Sequence, residues 1–91
     1  MHDLSAFQRD VLYVLAGNSG AKGLEIKKKL EKYYSEDVLH GRLYPNLNDL
    51  ADKHYVQIEE ADGRTNAYSL TDKGKQSLRA RRQWEQQFVD F

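Results

Sequence analysis

Arg42 and Asn46 are the residues of this 91-residue chain whose chemistry best suits recognition of another molecule. They lie in the stretch His40-Gly41-Arg42-Leu43-Tyr44-Pro45-Asn46-Leu47-Asn48-Asp49-Leu50. A guanidinium fork matches the paired acceptors on the major-groove edge of guanine, and a carboxamide matches the donor and acceptor of adenine. Leu43, Leu47 and Leu50 recur at i, i+4, i+7, so one stripe of a helix faces a core. Arg42, Asn46 and Asp49 then form the polar face. His40, at the helix start, could reach a base or a phosphate. Tyr44 divides between a core ring and a hydroxyl on phosphate. Pro45 is expected near the first turn, because deeper in a helix it deletes a backbone bond and crowds the preceding turn. A surface helix with ordinary polar cover is the competing reading.

Other chemistries find little support. The chain has no cysteine, which excludes disulfides, thiol nucleophiles and cysteine-based zinc sites. His2, His40 and His54 lack metal-ligand spacing, so no metal or cofactor is expected. Scattered His, Asp and Glu form no catalytic constellation, so the chain does not read as an enzyme. Gly17, Gly20 and Gly23 fit neither phosphate-loop nor dinucleotide spacing. No effector pocket with convergent polar groups is evident. The longest apolar run, Val11 to Ala16, is too short to span a membrane. With no secretory signal visible, a cytoplasmic, nucleoid-associated protein is expected.

Fourteen Lys and Arg balance fourteen Asp and Glu, for a formal net charge of zero. The signs are nevertheless segregated. Lys27, Lys28, Lys29 and Lys32 form one basic cluster; Lys73, Lys75, Arg79, Arg81 and Arg82 form another. Such segregation permits a basic face, although lysine runs are often only solvated surface. Helical geometry allows at most two of Lys27, Lys28 and Lys29 to face one ligand.

These residues need elements to position them. Leu4, Phe7, Val11, Val14 and Leu15 predict a helix over residues 4 to 16, stopped at Gly17-Asn18. A second helix is expected from about Gly23 to Tyr34, then a short link over Ser35 to Leu39, then the polar-faced helix to about Lys53. Two helices so joined make a helix-turn-helix candidate. After His54 the period becomes two, in Tyr55-Val56-Gln57-Ile58-Glu59 and Asn66-Ala67-Tyr68-Ser69-Leu70. Asp62-Gly63 marks the hairpin turn. Its tip offers Arg64, Thr65 and Asn66, which fits a wing reaching minor groove or phosphate. A plain hairpin covering the core is the alternative.

Thr71 should cap a last helix running toward Phe91, with Asp72 in its first turn. Trp84, Phe88 and Phe91 share one stripe, which either folds onto the first helix or packs against a second subunit. Dimerisation is the expected outcome, with Phe7, Leu78, Trp84, Phe88 and Phe91 at the interface. The whole of residues 1–91 reads as one α+β domain of order α-α-α-β-β-α, mainly α with a small β-hairpin, with 71–91 as the dimerisation helix.

Three segments resemble the PadR-like branch of winged helix-turn-helix transcriptional regulators. They are Gly41-Arg42-Leu43-Tyr44-Pro45-Asn46-Leu47 with Leu50, Lys53-His54-Tyr55-Val56, and Tyr68-Ser69-Leu70-Thr71-Asp72-Lys73-Gly74. Gly23-Leu24-Glu25-Ile26 resembles the start of the family's second helix. Phe7-Gln8-Arg9-Asp10-Val11-Leu12-Tyr13 is similar to the opening of small stress-responsive PadR-like regulators of halophilic archaea. His40 and Arg42 depart from the usual Ser/Pro and Thr, which implies a DNA site of its own. His54 stands where the family usually has glycine, so the turn into the wing is expected to differ locally. The resemblance implies a homodimer on a pseudo-palindromic double-stranded DNA site. His40, Arg42, Tyr44, Asn46, Lys28, Lys29, Arg64 and Asn66 are the candidate DNA contacts. A winged helix used for protein–protein contact, without DNA, is the rival reading.

Overall fold

The computed structural model describes residues 1–91. Helix α1 spans Ala6–Gly17, strand β1 Ala21–Lys22, helix α2 Gly23–Tyr34 and helix α3 His40–Asp52. Strand β2 (Val56–Asp62), strand β3 (Thr65–Leu70) and helix α4 (Asp72–Gln86) complete the chain. Four helices therefore combine with a three-stranded antiparallel sheet of order β1-β3-β2. The α+β reading holds, with one element added. Strand β1 pairs Ala21 with Tyr68 and Lys22 with Ala67. Two residues are too few to show a period, so sequence patterning alone leaves them in a turn.

Each helix begins where its local chemistry dictates. Ser5, rather than Leu4, sets the start of α1: its hydroxyl accepts from the Gln8 amide, and the Gln8 side chain accepts from the Ser5 amide. This reciprocal capping box satisfies two otherwise orphaned donors. Leu4 lies outside the helix yet is buried in the core. Helix α2 ends at Ser35, whose φ of 58° is left-handed. Pro45 falls at the sixth residue of α3, beyond the first turn where it was expected. It leaves the Gly41 carbonyl without its i+4 donor, a loss tolerable on an exposed helix start where water reaches the carbonyl.

Leu43, Leu47 and Leu50 are fully buried, as their spacing predicted. They meet Val11, Leu12 and Leu15 of α1 and Ile26 and Leu30 of α2 in one cluster. Burying each such side chain contributes about 1.5–3 kcal/mol, so this three-helix contact dominates the stability of a small domain. Phe7 and Leu78 belong to the same core.

The joint between α3, the sheet and α4 is built on short backbone contacts. Thr71 accepts from the Gly74 amide, donates its hydroxyl to the His54 carbonyl, and bonds through its own amide to the Tyr55 carbonyl. Gly74 is pressed so close to Tyr55 that a Cβ there would collide with the Tyr55 carbonyl oxygen. His54 keeps the glycine-like conformation of this corner, with φ 67°. Helix α4 stops at Gln86 instead of continuing to Phe91; the Gln87 amide, bonded to the Trp84 carbonyl, and the amides of Phe88 and Val89, both bonded to the Glu85 carbonyl, prolong its last turn.

Two outcomes follow for thermal unfolding. Gly74→Ala gains up to about 1 kcal/mol of helix propensity but overlaps a backbone atom, at a cost of about 1–3 kcal/mol. The net effect should be a Tm lowered by several degrees. His54→Gly removes the left-handed penalty of about 1–2 kcal/mol and adds about 0.5–1 kcal/mol of backbone entropy cost. Its Tm should rise.

Candidate nucleic-acid interface

With its leucine stripe inward, α3 presents His40, Gly41, Arg42, Pro45, Asn48 and Asp52 as its exposed positions. At about 100° per residue, Gly41, Pro45, Asn48 and Asp52 form the ridge diametrically opposite the core. Arg42, Asn46, Asp49 and Lys53 lie on the flank toward α1, and His40 and Tyr44 on the flank toward the wing. The polar face expected from sequence is therefore rotated. Asn48 belongs to its centre, and Asn46 does not.

The flank toward α1 is tied down by one buried amide. Gln8, 6% exposed, donates from Nε2 to Asn46 Oδ1 at 3.1 Å and to Asp49 Oδ2 at 2.8 Å. Asn46 Nδ2 in turn donates to the Arg42 carbonyl at 2.7 Å. Both ends of the Asn46 amide thus hold a partner within the protein, which fixes its side chain on the α1 flank rather than on the exposed ridge. Arg42 lays its guanidinium over the Phe7 ring, 4.0 Å from the centroid. Its side chain remains exposed, steered along the α1 edge of the helix.

On the other flank, His40 stacks on Tyr44 with ring centroids 5.4 Å apart. The Tyr44 hydroxyl rests on Gly23 so closely that a Cβ at Gly23 would collide with it. The Tyr44 ring is half-buried against the core, and its hydroxyl sits at the start of α2. Beside it, Lys22, Arg64, Thr65, Asn66 and Tyr68 close a cleft between α2, α3 and the hairpin tip. Burial raises the Tyr68 hydroxyl pKa. The cleft unites Tyr44, Arg64 and Asn66, as a wing requires, and adds Lys22, which the lysine run had overshadowed.

The lysines of α2 separate by face. Lys27 bonds Glu31 at 2.8 Å, and Glu31 also accepts from the Val38 amide at 2.9 Å, fixing the turn into α3. Lys28 is exposed on the outer face. Lys29 lies toward α1, beside Asp10, Tyr13 and Tyr33, away from the cleft; its place among the DNA contacts is not one this geometry supports.

The expected subunit contacts also divide. Phe7 and Leu78 are each 5% exposed and already occupied in the protomer's own core. Trp84 and Phe88 are half to two-thirds exposed, with centroids 5.2 Å apart, and Phe91 is fully exposed. Val89 joins this apolar cluster, a residue absent from the stripe read in the sequence.

Two carboxylates that hold α3 are depressed in pKa. Asp49 falls below its ordinary 3.8 through its bonds from Lys53 and then Gln8. Glu31 falls below 4.5 through Lys27 and then the Val38 amide. Groups whose folded pKa is lowered stabilise the fold above their unfolded pKa and lose that contribution as pH falls through the folded value. Stability should therefore decline on acidification below about pH 4.5. Asp49→Asn combined with Glu31→Gln should make that decline shallower in chemical unfolding at a series of pH values.

The chain's similarities agree with this geometry. The Transcriptional regulator PadR-like family matches residues 11–80. Among curated proteins, none matches the sequence significantly. RosR of Halobacterium salinarum, in a structure grown from NaBr, is 46% identical at a TM-score of 0.90, covering 98% of this chain and 82% of that one. The complex of RosR named S1 is 48% identical, also at 0.90, over 94% of this chain and 76% of that one. F93 from STIV, described as a winged-helix DNA-binding protein, shares the fold at 23% identity and a TM-score of 0.78, covering 94% of each chain. No helix is long and apolar enough to cross a membrane. The chain belongs to the PadR-like family of winged-helix, DNA-binding transcriptional regulators.

Proposed function

We propose that this regulator acts as a homodimer on a pseudo-palindromic double-stranded DNA site. The observation that carries the reading is the convergence of three elements on one side: the exposed start of α3, the Lys22–Gly23 start of α2, and the wing tip at Arg64 and Asn66. Helix α3 would enter the major groove while Lys22, Lys28 and the Tyr44 hydroxyl hold phosphate and Arg64 and Asn66 reach the flanking minor groove. Arg42 pairs with guanine from the α1 flank, worth about 1–3 kcal/mol of discrimination, and His40 contacts the backbone or a base beside it.

Trp84, Phe88, Val89 and Phe91 are the proposed contact with a second subunit, within a dimerisation segment over 71–91. Their exposure together would leave an apolar patch in water that a second copy would cover. A dimer then sets two recognition helices about 34 Å apart, one turn of DNA. Bound at a promoter, it blocks or recruits the transcription machinery by its bulk, in the cytoplasm with the nucleoid. A stress-responsive role belongs to the same proposal and rests on the resemblance to small regulators of halophilic archaea.

Asp52 on the exposed ridge, with Leu24 and Leu39 exposed near the start of α3, favours the rival use of the fold as a protein-binding module. Selection from random duplex DNA at two salt concentrations separates the two. A two-fold symmetric motif with half-sites about one turn apart, bound more weakly as salt rises, is the expected result. Recovery of no motif, with no salt-sensitive binding, would sink the DNA reading. Light scattering should give a dimer, converted to monomer by Trp84→Ala with Phe88→Ala.

A further inference from the structure

We infer that Asn48 reads a base, pairing its side-chain amide with adenine in the major groove; this rests on the DNA-binding function proposed above. Its position is the first ground. Gly41, Pro45, Asn48 and Asp52 make the outer ridge of α3, and all four are exposed. Gly41 has no side chain, and nothing lies within 4 Å of where its Cβ would be. Pro45 adds only a compact apolar ring. The ridge is thus low over its first turns, and the first side chain along it able to exchange hydrogen bonds is Asn48. One turn further, Asp52 carries a negative charge that phosphates repel. Depth of entry is therefore greatest at the N-terminal half of α3, with Asn48 at its limit.

Availability is the second ground. A carboxamide offers a donor and an acceptor side by side, the complement of adenine N7 and N6. Asn46 has such a group, but Gln8 and the Arg42 carbonyl occupy it. The Asn48 side chain makes no hydrogen bond within the protein and is the only free carboxamide on α3. Arg42 stands about 90° around the helix from this ridge, against Phe7. Arg42 and Asn48 therefore address different base pairs. A Pro45 ring beside Asn48 also suits contact with a thymine methyl on the neighbouring pair.

The test is a repeat of the DNA selection with Asn48→Asp and Asn48→Ala. A carboxylate accepts from the N4 amine of cytosine, so Asn48→Asp should exchange adenine for cytosine at two symmetry-related positions. Asn48→Ala should bind the wild-type site about tenfold more weakly while its affinity for unrelated duplex is unchanged. Being exposed and unbonded, the position should leave the Tm of both variants at the wild-type value. If Asn48→Asp selects the wild-type motif and binds it equally well, Asn48 is not a base reader. If the wild-type protein itself selects no motif, the DNA function falls first and this inference with it. Loss of affinity for all duplexes alike would make Asn48 a phosphate contact and overturn the assignment.

Discussion

The aim of α3 depends on one buried amide. Gln8 uses its acceptor to cap α1 at Ser5 and both its donors to hold Asn46 and Asp49. Leucine packing alone is non-directional and lets a helix roll by part of a residue at small cost. A fully satisfied polar group does not, because any roll leaves a buried donor without a partner, at about 1–3 kcal/mol. The Gln8 network therefore converts a hydrophobic contact into a fixed orientation. It also gives Asn46 a structural role, with both ends of its amide bonded within the protein. Its amide is part of the mount, while Gly41, Pro45, Asn48 and Asp52 form the exposed ridge.

A second constraint sets the wing and α4 relative to that mount. Tyr55 gives its carbonyl to the Thr71 amide and leaves no room for a side chain at Gly74. Lys73 closes the same corner, donating to the Lys53 carbonyl at 2.8 Å and lying 4.5 Å from the centroid of the Tyr55 ring. The end of α3, the base of the hairpin and the start of α4 thus move together. An apolar end of α4 that contacted another subunit would transmit its position to α3 through this corner.

Periodicity made α1, α2, α3 and the hairpin legible, because each has a core face long enough to repeat. What stayed hidden had other causes. Strand β1 is defined by its partner at Tyr68, not by its own two residues. The rotation of the α3 face came from treating every polar side chain as outward, although Asn46 and Asp49 lie about 65–125° from the leucine stripe, on the flank that α1 reaches. Ser5 and Gln8, spaced as a capping box, signal the start of α1, whereas the reach of Gln8 to Asn46 and Asp49 is a long-range contact that local spacing does not encode. Phe7 and Leu78 looked like interface residues only because apolar type does not distinguish a core within one chain from a core between two. His54 shows the opposite case. A histidine at a glycine position looked like a local change of path, whereas the backbone keeps its left-handed turn and the side chain bears the strain.

Formal neutrality fits a DNA-facing surface once the acids are followed to their partners. Glu31 holds Lys27 and the Val38 amide, Asp49 holds Gln8 and Lys53, and Glu25 caps α2 through the Lys22 amide. Asp10 accepts from the Tyr34 hydroxyl at 2.5 Å, far from the cleft. These acids fix the elements through bonds of their own, and Lys22, Lys28 and Arg64 make no ion pair. The unpaired acids Glu59, Glu60 and Asp62 run along β2, the outer edge of the sheet, while Lys22 lies on β1 at the opposite edge. Glu60 and Asp62 pair with Asn66 and Thr65, so these acids flank the wing tip beside Arg64, whereas Lys22 lies clear of them. A total of zero then describes acids bonded within the fold or carried on the edge strand, with Lys22, Lys28 and Arg64 left without ion pairs to attract a charged polymer.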